Sequence, residues 1–193
     1  MGWLNTPPLL LAQSDTNGSL AQDLGQAYIF RGGVNSTSAV VCLRAYRLVY
    51  NNSGATLPAG AVLIEQRTNG VRNGNVTTTT TAAHPDVCGS VPAEFGTNVV
   101  AIGSYFLMQI SGPAKVQSAS TAATYIVQVT ATANSVFGTA TTAGYAQLIS
   151  VATTTLTLDL IGAYQSASLG KFMNSAVVTA AGQLADSDLL IRL

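Results

Sequence analysis

An all-β domain, an antiparallel β-sandwich or barrel with an extended N-terminal arm, is the fold this sequence predicts, and three observations predict it. About a dozen short runs are rich in β-branched and aromatic residues, and several of them alternate apolar with polar side chains. Gly, Pro and Asn–Gly turn signals fall between them, at about every 8 to 12 residues. No apolar period of 3.6 persists long enough to mark a long helix. At 193 residues the chain suits one domain, or one domain with an arm, and is long enough to bury a core.

Residues 1–25 read as the arm and 26–193 as the β domain. Trp3, Leu4, Pro7-Pro8 and Leu9, Leu10 and Leu11 precede a polar patch, Gln13 to Ser19, with no sustained period of either kind. Apolar residues on such a segment need cover, either from their own domain or from a neighbour. A secretory leader is not expected, because no Lys or Arg precedes the apolar run and the first basic residue is Arg31. No apolar run approaches the roughly 18–20 residues that cross a bilayer.

Strand signals begin at Ala27–Arg31, closed by Gly32-Gly33, and continue through Ala39–Tyr50, ended by Asn51-Asn52-Ser53-Gly54. Arg44 and Arg47 fall on opposite faces of that second strand. At least one should therefore lie near an edge, an interface or a buried carboxylate. Leu57–Gly60 reads as a turn and Ala61–Ile64 as a short strand. The stretch from about 67 to 91 carries Asn69-Gly70, Asn73-Gly74, the Thr77–Thr81 tract and His84-Pro85, and reads as a loop-rich excursion with one or two short strands. Cys42 and Cys88 are compatible with one disulfide, but Cys42 lies in an apolar run, which favours two unpaired core thiols.

The organising strand is Ser104–Ser111, with Phe106, Met108 and Ile110 on one face, and Gly112-Pro113 is expected to end it before a restart at Ala114. Thr124–Thr132 and Thr155–Leu160 alternate in the same way. Phe137-Gly138 and Ala143-Gly144 read as turns, and Ala146–Val151 as a strand. Ala163–Ala185 reads as loop or strand because Gly170 and Gly182 interrupt it, and Leu189–Leu193 as an apolar terminal strand.

Charge is the strongest compositional signal. Only 8% of residues are charged, against roughly 25% in an average domain, and eight cations balance eight acids. Such a chain has no electrostatic footprint for nucleic acid or an anionic membrane, and a free monomer of this kind tends to associate. Chemistry-bearing groups are sparse. His84 stands alone in a loop, Asp186 and Asp188 resemble turn caps more than a cation site, and Asn69-Gly70 and Asn73-Gly74 lack the strand-to-helix frame of a phosphate loop. The expectation is a protein that is not an enzyme and holds no metal or other cofactor.

Val87-Cys88-Gly89-Ser90-Val91-Pro92, Ser104 to Val116, Thr139-Ala140-Thr141-Thr142-Ala143-Gly144 and Leu160-Ile161-Gly162-Ala163 resemble a tailed-bacteriophage capsid decoration, or cement, protein. The resemblance runs from Val87 to Leu193, and the first half of the chain departs from the pattern. It implies a virion protein on the outer capsid surface, assembled in the host cytoplasm, that bridges major capsid protein subunits and stabilises the shell as a homo-oligomer, dimer or trimer. Trp3, Leu4, Leu9, Leu10 and Leu11 are then the expected contacts to the capsid or a sister subunit. The alternative is a fibre, tail or surface adhesion module that binds a carbohydrate, for which Tyr145 and Tyr164 are the available aromatics.

Overall fold

The computed structural model describes residues 19–33, 41–119, 125–126, 136–149, 165–172, 177–178 and 184–190. The fold is all-β. A helical turn, α1 (Ser19–Gln22), leads through Gly25 into β1 (Ala27–Gly33), so the last part of the expected arm is not extended. Residues 1–18, which include Trp3, Leu4 and Leu9 to Leu11, lie outside the described residues. The strands that follow are β2 (Val41–Asn51), β3 (Leu57–Pro58), β4 (Val62–Thr68), β5 (Val71–Thr77), β6 (Val87–Ser90), β7 (Val99–Val100) and β8 (Tyr105–Gln117). Next come β9 (Tyr125–Ile126), β10 (Val136–Thr139), β11 (Ala146–Leu148), β12 (Gly170–Phe172), β13 (Val177–Val178) and β14 (Leu184–Leu189).

Ten of these strands form one sheet that closes on itself twice. Neighbours run β1-β2-β5-β4-β6-β8-β14-β12-β10-β11, and β2 also pairs with β8. The strands β2, β5, β4, β6 and β8 therefore make a ring of five. Antiparallel neighbours reverse direction at each step, so an odd ring needs one parallel contact to close. The parallel pairing of β2 with β5, Tyr50 to Asn75 and Asn51 to Val76, supplies it. The second half of the sheet obeys the same parity. From β8 through β14, β12 and β10 to β11 all neighbours are antiparallel, and the return to the end of β8 is a parallel bridge between Ser118 and Ala146.

β8 belongs to both rings. Residues 105–111 pair with β2, and residues 112–117 pair with β14. The strand does not end at Gly112-Pro113, contrary to the expectation, but bends there and changes partners. Gly112 has φ +83°, and a Cβ on it would lie 2.2 Å from the Leu43 carbonyl oxygen, so only glycine allows β2 and β8 to come this close. Pro113 follows at the handover, where a missing N–H costs the ladder least. Gln109 secures the bend by donating from Nε2 to the carbonyls of Ser111, Gly112 and Pro113 at 3.2, 3.4 and 2.8 Å.

Two cores result, with β4 and β6 as the wall between them. Alternation along β4 sends Leu63 to the first core and Val62 and Ile64 to the second, and Cys88 and Val87 of β6 divide in the same way. Phe106, Met108 and Ile110 enter the first core as expected, beside Val49, Val76 and Phe95. Phe137, Leu169, Ala185 and Leu189 fill the second, against Val116.

Several other expectations change. Phe137-Gly138 is part of β10 and not a turn: a Cβ on Gly138 would sit 2.4 Å from the Ala167 carbonyl, so the glycine serves close packing. Asn69-Gly70 is a two-residue hairpin turn with φ of +53° and +79°, the type I′ geometry that suits the twist of its strands, whereas Asn73-Gly74 lies inside β5. Asp186 and Asp188 are strand residues of β14, which starts at Leu184 and not at Leu189. Within 163–185 the described residues form a helical turn at 165–167, then β12, β13 and the start of β14. The expected strand at Thr155–Leu160 and most of Thr124–Thr132 lie outside the described residues.

Candidate interaction surfaces

β2 carries the two arginines that the sequence singled out, and the structure gives them separate tasks. Arg47 makes a bidentate contact with Glu65, at 2.7 and 2.9 Å, and its Nε donates to the Gly25 carbonyl at 3.2 Å. Glu65 is 1% exposed, accepts a bond from the Gly74 N–H at 2.9 Å and lies 3.8 Å from Arg72. Of the edge, interface or buried carboxylate expected for at least one of the two arginines, Arg47 has the buried carboxylate. It ties together β2, β4, β5 and the turn into β1 at one point, and its lone pairs are occupied.

Arg44 faces the other side, where it pairs with Glu94. Close by, Lys115 pairs with Asp186 at 3.7 Å, and the two ion pairs flank a groove of about 150 Å³ lined also by Ala93, Gln109, Pro113 and Ala114. The groove lies over the bend of β8. Tyr46 is buried and interacts with Arg44. Burial pushes its phenol above the ordinary value of 10.0, Arg44 draws it back by hydrogen bonding, and the Glu94 charge pushes it up again. Burial works against the Arg44 charge, but Tyr46 and Glu94 together hold its pKa above the ordinary value. Each charge in the groove already has a partner of opposite sign, so the lining is neutral as a whole.

The remaining polar candidates act as fasteners. His84 has its backbone N–H on Thr139 Oγ1 at 2.7 Å, and its Nδ1 accepts the Asp86 N–H at 3.1 Å. The Thr139 hydroxyl in turn donates to the Thr81 carbonyl at 2.8 Å, which latches the 78–86 loop to the second barrel. Asp186 is engaged by Lys115, and among the described residues no group of three or more His, Cys, Asp and Glu side chains is placed to hold a metal ion. Cys88 is buried, with its Sγ 3.4 Å from the Leu63 carbonyl oxygen and 3.6 Å from Met108 Sδ, while the Cys42 side chain lies outside the description. Tyr145 is half-buried, and Tyr164 lies outside the described residues. Among those residues no helix is long and apolar enough to cross a membrane.

What the sequence did not single out is where the apolar surface emerges. Ile29 on β1 is 69% exposed and Leu43 at the start of β2 is 55% exposed; they share one face, because Ile29 pairs with Ala45, two residues along from Leu43. At the far end of β2, where Asn51 meets Gly103, Val99 and Ile102 are 47% and 57% exposed. Eight residues of extended strand put these two patches about 25 Å apart. Period-two reading marks such residues as core, since it registers hydrophobicity and cannot tell a covered face from a bare one.

The strand edges are just as uneven. Both rings close, and among the described residues of the ten-stranded sheet β1 is a seven-residue strand with one side unpaired along its whole length. The described residues thus form an all-β double barrel with one open strand and exposed apolar side chains at both ends of β2, while Val71, Leu184 and Leu190 are exposed elsewhere. No protein-family model matches the chain, and no curated protein matches it.

Proposed function

We propose that this protein is a non-enzymatic virion structural protein that decorates the outer capsid surface and stabilises the shell by bridging major capsid protein subunits. The observation that carries the reading is the pair of exposed apolar patches, Ile29–Leu43 and Val99–Ile102, at opposite ends of β2. A bridging protein needs two separate contact sites on one stiff body, and a closed barrel is such a body. The low charge agrees, because charged residues are depleted at the centres of interfaces. The resemblance of Val87–Leu193 to decoration proteins points the same way, and many modest contacts repeated over a shell hold strongly together. In this reading Trp3, Leu4 and Leu9 to Leu11 supply a third apolar contact, on the capsid or on a sister subunit.

Co-sedimentation of the purified protein with capsid shells stripped of it, with a count of bound copies per shell, tests the reading. Saturation at a copy number set by icosahedral symmetry is the expected result. Absence of binding overturns it, and binding left unchanged by deletion of residues 1–24 overturns the assignment of the arm as a contact.

A further inference from the structure

We infer that the open edge of β1 is a two-fold self-association site, at which β1 pairs antiparallel with β1 of a second copy of this chain. The inference specifies the oligomer within the decoration reading but rests on the strand geometry alone, so it stands or falls without a shell.

The backbone pattern shows what the edge offers. Leu48 directs both backbone groups toward β1, its N–H to the Gln26 carbonyl and its carbonyl to the Gly25 N–H, so it holds a hydrogen-bonded position on β2, as by alternation do Tyr46, Arg44 and Cys42 in their pairs with Tyr28, Phe30 and Gly32. In an antiparallel ladder such pairs alternate, so Tyr28, Phe30 and Gly32 direct their N–H and C=O groups to β2. Ala27, Ile29, Arg31 and Gly33 direct theirs outward. A row of outward donors and acceptors is a template for another strand, and β1 carries it along its whole length.

The edge is also complementary to itself. Full antiparallel overlap of Ala27–Gly33 places the two-fold axis at Phe30 and brings Ile29 opposite the partner's Arg31 and Ala27 opposite the partner's Gly33. Every one of these is an outward-directed residue, so the two ladders match without a bulge. Arg31 is the one charged residue of the strand and meets no like charge in this register. Free edges are commonly blunted by lysine, proline or a bulge, and β1 has neither Lys nor Pro and pairs with β2 in unbroken register. The pairing joins two hairpins into a four-stranded sheet and sets Ile29 and Leu43 of both copies on one face.

The test uses the full chain. Sedimentation velocity from about 1 to 100 µM, with amide hydrogen exchange at the same concentrations, is expected to show a monomer–dimer equilibrium in which the Ala27, Ile29 and Arg31 amides become protected as the dimer forms. Ile29→Pro removes one outward N–H, and Ile29→Lys adds an edge charge; each is expected to weaken dimerisation at least tenfold with an unchanged far-ultraviolet spectrum. If Ile29→Pro does not fold, Ile29→Lys decides. A monomer at all concentrations, a trimer, a dimer indifferent to Ile29→Lys, or amides protected equally at every concentration, as cover by the chain's own arm would give, each overturns the inference. Loss of shell binding in a protein that still dimerises counts against the decoration reading alone.

Discussion

The two barrels share a strand and a construction but are fastened differently. The first closes through two parallel residue pairs and adds buried polar fasteners: Glu65 against Arg47, and Asn51, whose Nδ2 donates to the carbonyls of Ala55, Val100 and Ala101. The second closes through one bridge and is held by apolar packing around Phe137 and Leu189, with Thr139 latching a loop from outside. The difference teaches where this low-charge chain spends its few ionic groups. A buried carboxylate adds little net stability over an apolar group of the same shape, but it specifies one arrangement, because any other leaves a charge without a partner. The parallel closure, where β5 meets β2 by only two residues, is the contact in need of such specification.

The largest effect should come from removing that fastener. Glu65→Ala leaves Arg47 and the Gly74 N–H without their acceptor and is expected to cost about 3–5 kcal/mol in urea unfolding. Hydrogen exchange should show β5 amides losing protection before those of β12; equal loss in both barrels would erase the distinction. Gly112→Ala strikes the shared strand. Its new Cβ meets the Leu43 backbone, so a loss of roughly 2–3 kcal/mol is expected, and protection should fall in both barrels together. Thr139→Val keeps the volume but removes the loop latch, for about 1–2 kcal/mol, read as faster proteolysis within residues 78–86 while β2 stays protected.

The smallest effect is a dependence on pH. The Tyr46 phenol is held above its ordinary 10.0 in the folded state, chiefly by burial. As pH rises past 10.0 the unfolded chain releases this proton first, so the folded state binds more protons and stability falls with further alkalinity. Below that value the group contributes no pH dependence. Tyr46→Phe should flatten the alkaline limb of the melting curve against pH and leave the neutral region nearly parallel to that of the parent chain.

Much of the fold was legible because strands are local statements. The period-two run of Phe106, Met108 and Ile110 identified a core strand, and two arginines on opposite faces of an apolar strand required an edge, an interface or a buried carboxylate for at least one of them, which the structure supplies as Glu65 against Arg47. Gly112-Pro113 misled because a glycine and a proline that interrupt one ladder look the same in sequence whether the chain stops or passes to a new neighbour. Gly138 misled for a related reason: a position without a side chain serves a turn and a tight contact equally. Of the candidate site, Arg44 was in view, but Glu94, Lys115 and Asp186 come from elements 50 or more residues away and meet only across the bend of β8.

By itself the sequence determined the all-β class, the strand-rich order of the chain and the low charge that favours association, since these depend on side-chain alternation, turn chemistry and composition. The tertiary structure decided the rest: two rings sharing β8, the parallel contacts that close them, and which apolar residues stay bare. Those depend on which strands become neighbours. Pairing energy is nearly the same for many registers, so the choice falls to closure, packing on both faces of β4 and β6, and a few buried polar groups that fit in one arrangement alone.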